Sequence, residues 1–123
     1  MKAVYWVEDC ALTPLAFTSE ENYMLIKEGQ TAVANQAQFS LNDKPFFASL
    51  FTEEQRIGLE DELLELRHAG AISVEHSNDL TWFETLCVLS IQEAVSKSKI
   101  DFSVSKNLFI LSTTKGNIEL IDT

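Results

Sequence analysis

The feature that most constrains the fold is a run that is apolar around most of a helix, residues 80–97. At helical spacing Leu80, Phe83, Cys87, Ile91 and Ala94 fall on one broad face, and Trp82, Leu86 and Leu89 on another. Only Thr81, Thr85, Gln92 and Ser96 are left as a narrow polar strip. Such a helix must be covered on two sides, so the spacing predicts the structural axis of a globular domain, with N-caps offered by Ser77, Asn78 and Asp79. A chain of 123 residues is long enough to bury a core around it, and residues 1–123 read as one domain.

A second helix is marked at both ends. Thr52 with Gln55 is a capping-box pair, and Glu53 and Glu54 suit the positive end of the helix dipole. Arg67 and His68 suit the negative end, and Gly70 stands where a left-handed cap is expected. The helix therefore spans 53–68. Thr18 with Glu21 marks a further helix over 19–28, stopped at Gly29. The Ala- and Gln-rich stretch 30–38 reads as a short helical continuation. Asn42, Asp43, Lys44 and Pro45 form a loop signal, and Phe46, Phe47, Leu50 and Phe51 an aromatic lead-in to the helix over 53–68.

Strands are expected at the two ends of the chain. Residues 3–7 are β-branched and aromatic, and residues 71–74 read as a short strand. Beyond residue 99, Ile100, Phe102 and Val104 alternate with Asp101 and Ser103; apolar strands follow at 107–112 and 118–121. Turn signals at Lys106-Asn107 and Lys115-Gly116 make this tail an antiparallel three-strand meander. The expected class is α+β: a mostly antiparallel sheet, built from the N-terminal strand and the C-terminal meander, packed by about three helices.

Chemistry-bearing motifs are scarce. The four glycines are scattered, so no phosphate loop forms, and no GxSxG, HExxH or calcium-loop pattern is present. His68 and His76 lie across an expected helix end and do not share a face as metal ligands would. Cys10 and Cys87 make neither a CxxC pair nor a disulfide framework. Cys87 reads as a small core residue. Cys10 is the one residue on which a small thiol enzyme could be built, with His68 or His76 as base. No cofactor or metal is implied, and the expectation is a non-enzyme. The start of the chain is broken by Glu8 and Asp9, no run is apolar enough for a membrane span, and the cytoplasm is the expected compartment.

What points to a partner is charge. The formal net charge is -10, and residues 1–93 hold 16 acids against five bases, whereas residues 94–123 hold three against four. Nucleic acid and anionic membranes repel such a chain, and a basic protein attracts it. The C-terminal lysines interleave with Phe102 and Phe109, but those rings keep the phase of the core positions, so no nucleic-acid platform is expected.

Six acids crowd the helix over 53–68. Projected at about 100° per residue, Glu54, Asp61 and Glu65 fall on one line, with Glu62 beside them. Leu59, Leu63 and Leu66 make one apolar flank, Ile57 and Leu64 another, and Arg56, Glu60 and Arg67 lie between the flanks, where they can pair internally. The stripe Glu54, Asp61, Glu62 and Glu65 is the candidate partner-binding site. It serves solubility in any case; as a site it would steer and pair with lysines and arginines.

In size, charge and missing catalytic chemistry the chain resembles the immunity proteins of bacterial toxin–immunity pairs, a likeness carried by no residue motif. It implies an inhibitor of a basic toxin domain such as a nuclease. The alternatives are an acidic chaperone, and a nucleic-acid mimic acting against a defence nuclease, which would need two rows of carboxylates.

Overall fold

A computed structural model describes residues 3–39, 44, 46–72, 80–101, 103, 108, 110 and 112. In chain order the elements are α1 (Ser19–Lys27), β1 (Val33–Asn35), a 3-10 turn (Ala37–Phe39), β2 (Phe47–Ser49), α2 (Glu53–His68) and α3 (Trp82–Ser98). Among the described residues three α-helices and a two-stranded antiparallel sheet make the fold α+β.

The helix ends follow local hydrogen-bond chemistry. Thr18 accepts from the Glu21 N–H at the start of α1. Reciprocal capping boxes, Thr52 with Gln55 and Thr81 with Glu84, open α2 and α3. At the other end of α1, Gly29 (φ +78°) lets Gln30 N–H reach Leu25 C=O while its own N–H reaches Ile26 C=O. Gly70 (φ +72°) does the same for α2, with Ala71 N–H on Leu66 C=O and Gly70 N–H on Arg67 C=O. Both are Schellman closures, which satisfy carbonyls the helix leaves without partners.

Four expectations are corrected. First, α3 is capped by Thr81, not by Ser77, Asn78 or Asp79, because Thr81 has Glu84 at the reciprocal position. Second, the polar strip of α3 is broken by a buried member: Thr85 is 4% exposed, one turn before buried Leu89, whereas Ser96 is exposed. Third, residues 30–38 do not continue as a helix. Val33, Ala34 and Asn35 pair with Ser49, Ala48 and Phe47, and Gln36 N–H extends the ladder to Phe46 C=O at 2.8 Å. Fourth, residues 3–7 form no strand. Val4, Tyr5 and Trp6 are each at least 80% exposed; strand propensity makes no strand where no described strand lies beside it. Residues 73–74 and most of the expected meander lie outside the described residues; residues 71 and 72, which are described, are a bend, and 101, 103, 108, 110 and 112 are in no strand, with Leu108 and Ile110 exposed.

The core sits between α2 and α3. Leu59 and Leu63 of α2 and Leu89 of α3 are its buried centre, edged by Leu12, Phe17, Phe51, Trp82 and Leu86 among others. Every residue from Leu80 to Ser90 is at least partly buried, as an axial helix requires. Phe51 joins the edge of this core to the sheet side, packing edge-on against Trp82 at 5.4 Å and 83° and tilted against Phe17 at 6.5 Å.

A polar clasp fixes the segment before α1. Asn22 is 6% exposed; its amide nitrogen donates toward Ala11, Ala16 and Thr18 C=O at 2.7, 2.9 and 2.8 Å, and its oxygen accepts from the Thr13 hydroxyl at 2.6 Å. Gln55 continues the clasp to α2 by donating to Pro14 C=O at 3.0 Å.

Candidate partner-binding face on α2

Helical phase decides which side chains of α2 remain accessible. Leu59 and Leu63 define the buried direction, and Glu54, Asp61 and Glu65 lie roughly 150° around the helix from it at about 100° per residue. All three are exposed. The line of carboxylates read from the sequence is thus the outer side of the helix.

Glu62 departs from that line. It stands only about 70° from the buried direction and joins Cys10, Leu59, Leu89 and Glu93 around a small cavity of about 220 Å³ at the α2–α3 boundary. Partial burial first, then the charges of Glu93 and Glu65, push its carboxyl above the ordinary value. All four site residues are exposed; Glu62 differs from the trio in bordering the cavity beside α3.

The second apolar flank of α2 is not buried. Ile57 is 52% exposed and Leu64 45%. One helix cannot bury two flanks separated by Arg56, Glu60 and Arg67, so packing against α3 selects the Leu59–Leu63 flank. Ile57 and Leu64 border the acidic line, each within one turn of Asp61. The outward face is therefore mixed, acidic with two aliphatic side chains, and these two residues were the part of the site that sequence reasoning assigned to the interior. The signal was present: charged residues between two apolar flanks.

The expected internal pairing is also replaced. Among the described residues the ion pair is Lys97 with Glu93 at 2.6 Å. Arg56 instead lies over the Trp82 ring, 4.7 Å from its centroid, and Arg67 Nε is buried with no partner among the described residues.

Cys10 is half-buried, its Sγ donating to Phe17 C=O at 3.7 Å. Burial pushes its thiol up, and Glu93 adds to this, while Lys97 and a Ser90 hydrogen bond pull weakly down. Nucleophilic thiols need the opposite direction. His68 closes α2 and is exposed; His76 lies outside the described residues. Among the described residues no three His, Cys, Asp or Glu side chains group as metal ligands, and no helix is long and apolar enough to cross a membrane. The C-terminal Phe102, Lys106, Phe109 and Lys115 lie outside the described residues. Comparison with protein families, with curated proteins and with solved structures finds no match to the chain.

Proposed function

We propose that the protein is a non-catalytic inhibitor that binds a basic protein partner through the outward face of α2, in the manner of an immunity protein neutralising a toxin domain such as a nuclease. The observation that carries the reading is the composition of that face. Glu54, Asp61 and Glu65 supply long-range attraction to lysines and arginines, and exposed Ile57 and Leu64 supply apolar area beside them. Charge gives association rate and orientation; apolar contacts that exclude water give residence time. Two free cysteines suit the reducing cytoplasm, which is where we place the protein. The finer architecture belongs to the same proposal: the C-terminal residues close the domain as a three-strand antiparallel meander.

The test is co-expression with any basic toxin or nuclease domain found encoded beside the chain. Protection of the cell, lost on reversing Glu54, Asp61 and Glu65 to Lys with helical circular dichroism retained, supports the proposal. Unimpaired protection by that variant overturns it.

One observation favours the chaperone reading. Leu15, Phe17, Met24 and Leu25 form an open groove of about 700 Å³ edged by Glu20 and Glu21, with Tyr23 and Ile26 exposed on the same helix. A chaperone would hold an apolar client segment there. Substituting Met24 with Asp would then abolish client binding and leave toxin neutralisation unchanged.

A further inference from the structure

The opposite side of α2 carries a second feature that the partner face does not use. Between the β1–β2 hairpin and the first turn of α2 lies a cavity of about 800 Å³, a volume in the range of small-molecule sites. Its apolar walls include Ala34, Leu50, Phe51 and Trp82, and Arg56 lines it too. The amides there are already committed. Gln55 donates to Pro14 C=O and accepts from Thr52 N–H, and Gln36 donates to Ala48 C=O and accepts from Gln38.

Arg56 is different. Glu53 and Glu60 stand at helical spacing for ion pairs with it. Yet among the described residues no oxygen accepts from its guanidinium, whose Cζ lies over Trp82, 4.7 Å from the ring centroid. The ring is itself braced by the edge of Phe51. Stacking engages the face of a guanidinium and leaves its in-plane N–H groups free. A planar fork of donors held at the wall of an apolar cavity is the arrangement that receives a carboxylate in two parallel hydrogen bonds.

We propose that this cavity binds a small apolar or aromatic monocarboxylate, its carboxylate on Arg56 and its body against Leu50, Phe51 and Trp82. A single guanidinium, Glu53 on the same wall and a net charge of -10 disfavour phosphates and other multiply charged anions. The first turn of α2 contributes in the favourable sense, since its unpaired N–H groups carry partial positive charge. The same chemistry is presented by a free acid or by the C-terminus of a peptide ending in an aromatic residue. This site is independent of the partner face, so its failure leaves the proposed inhibition untouched.

The experiment follows Trp82 fluorescence in a Trp6→Phe background, where Trp82 is the reporter. The probes are 3-phenylpropanoate and its amide, and the tripeptide Ala-Ala-Phe with a free or an amidated C-terminus. The expected result is that at least one free carboxylate binds on the order of tenfold more tightly than its amide, the return for a charge-assisted hydrogen bond. A preference only among the free acids assigns the site to small molecules, and one only among the peptides assigns it to chain termini. Arg56→Met keeps an apolar stem on the ring and should erase the preference, and Arg56→Lys should keep part of it. Equal binding of acid and amide, no binding at millimolar concentration, or a preference that survives Arg56→Met would overturn the proposal. Circular dichroism and the urea midpoint confirm that each variant is folded.

Discussion

Replacing Asn22 with Ala tests the fold where it is most tightly specified by polar contacts. The side chain reaches three carbonyls with two amide hydrogens, so one hydrogen is shared, and its oxygen holds the Thr13 hydroxyl. Two of the three carbonyls keep another partner when the amide is removed: Ala16 C=O still accepts from Thr13 N–H, and Thr18 C=O from Asn22 N–H. Ala11 C=O loses the bond that Asn22 gives it. An orphaned, part-buried carbonyl costs about 1–3 kcal/mol, and each lost bond whose partner finds another costs about 0.5–1.5 kcal/mol. The sum is roughly 3 kcal/mol, because the shared bond counts weakly. At a urea slope of about 1–3 kcal/mol per molar, the unfolding midpoint should fall by at least 1 M. Urea titration followed by circular dichroism at 222 nm measures this. A midpoint within a few tenths molar of the parent would refute the clasp as a determinant of the fold.

Three further outcomes are expected. Thr52→Ala removes the capping box that opens α2 and should cost about 1 kcal/mol, read from the same urea titration. Glu62→Gln should raise stability at neutral pH. The folded carboxyl of Glu62 lies above its unfolded value, so the folded state holds the proton more tightly and the wild type loses stability as pH rises through that window. The advantage of Glu62→Gln should therefore vanish below the ordinary carboxyl range, and an advantage that grows on acidification would contradict the assigned cause. Cys10 should alkylate with iodoacetamide at pH 7 more slowly than glutathione does, since burial and Glu93 hold its thiol protonated; selective fast labelling would instead support the thiol-enzyme alternative.

Much of the helical framework was legible because its determinants are local. Thr18, Thr52 and the two left-handed glycines, Gly29 and Gly70, act within one turn, and α1 and α2 begin and end where those residues indicate. The start of α3 was misplaced because three plausible caps precede Thr81, and only Thr81 has an acid at the reciprocal position. The hairpin was hidden for a different reason. Ala and Gln favour a helix over 30–38, and what overrides them is pairing with residues 47–49, a nonlocal contact without a tight-turn signature. Residues 3–7 show the converse, strand-forming residues that pair with no strand among the described residues and stay exposed.

At the candidate site, helical phase found the outward acids but not what surrounds them. Which of two apolar flanks is buried depends on where α3 docks, and that choice exposes Ile57 and Leu64 and sets Glu62 at the rim of the cavity beside α3. Arg56 was read as an ion-pair partner because acids stand at helical spacing from it; its contact is a ring some 26 positions away in the chain.

A basic protein is proposed to bind the outward face of α2. The most direct measurement is the dissociation constant, by calorimetry at physiological salt, between a purified basic domain, chosen by protection in co-expression, and three forms of the protein. These are the parent, Glu54→Lys/Asp61→Lys/Glu65→Lys, and Ile57→Ser/Leu64→Ser. Reversing three contacting charges should weaken binding by roughly a hundredfold or more, with a slower association rate that salt reproduces in the parent. Removing the two aliphatic side chains should weaken it through faster dissociation. Dissociation constants within threefold of the parent for both folded variants would contradict the assignment of this face.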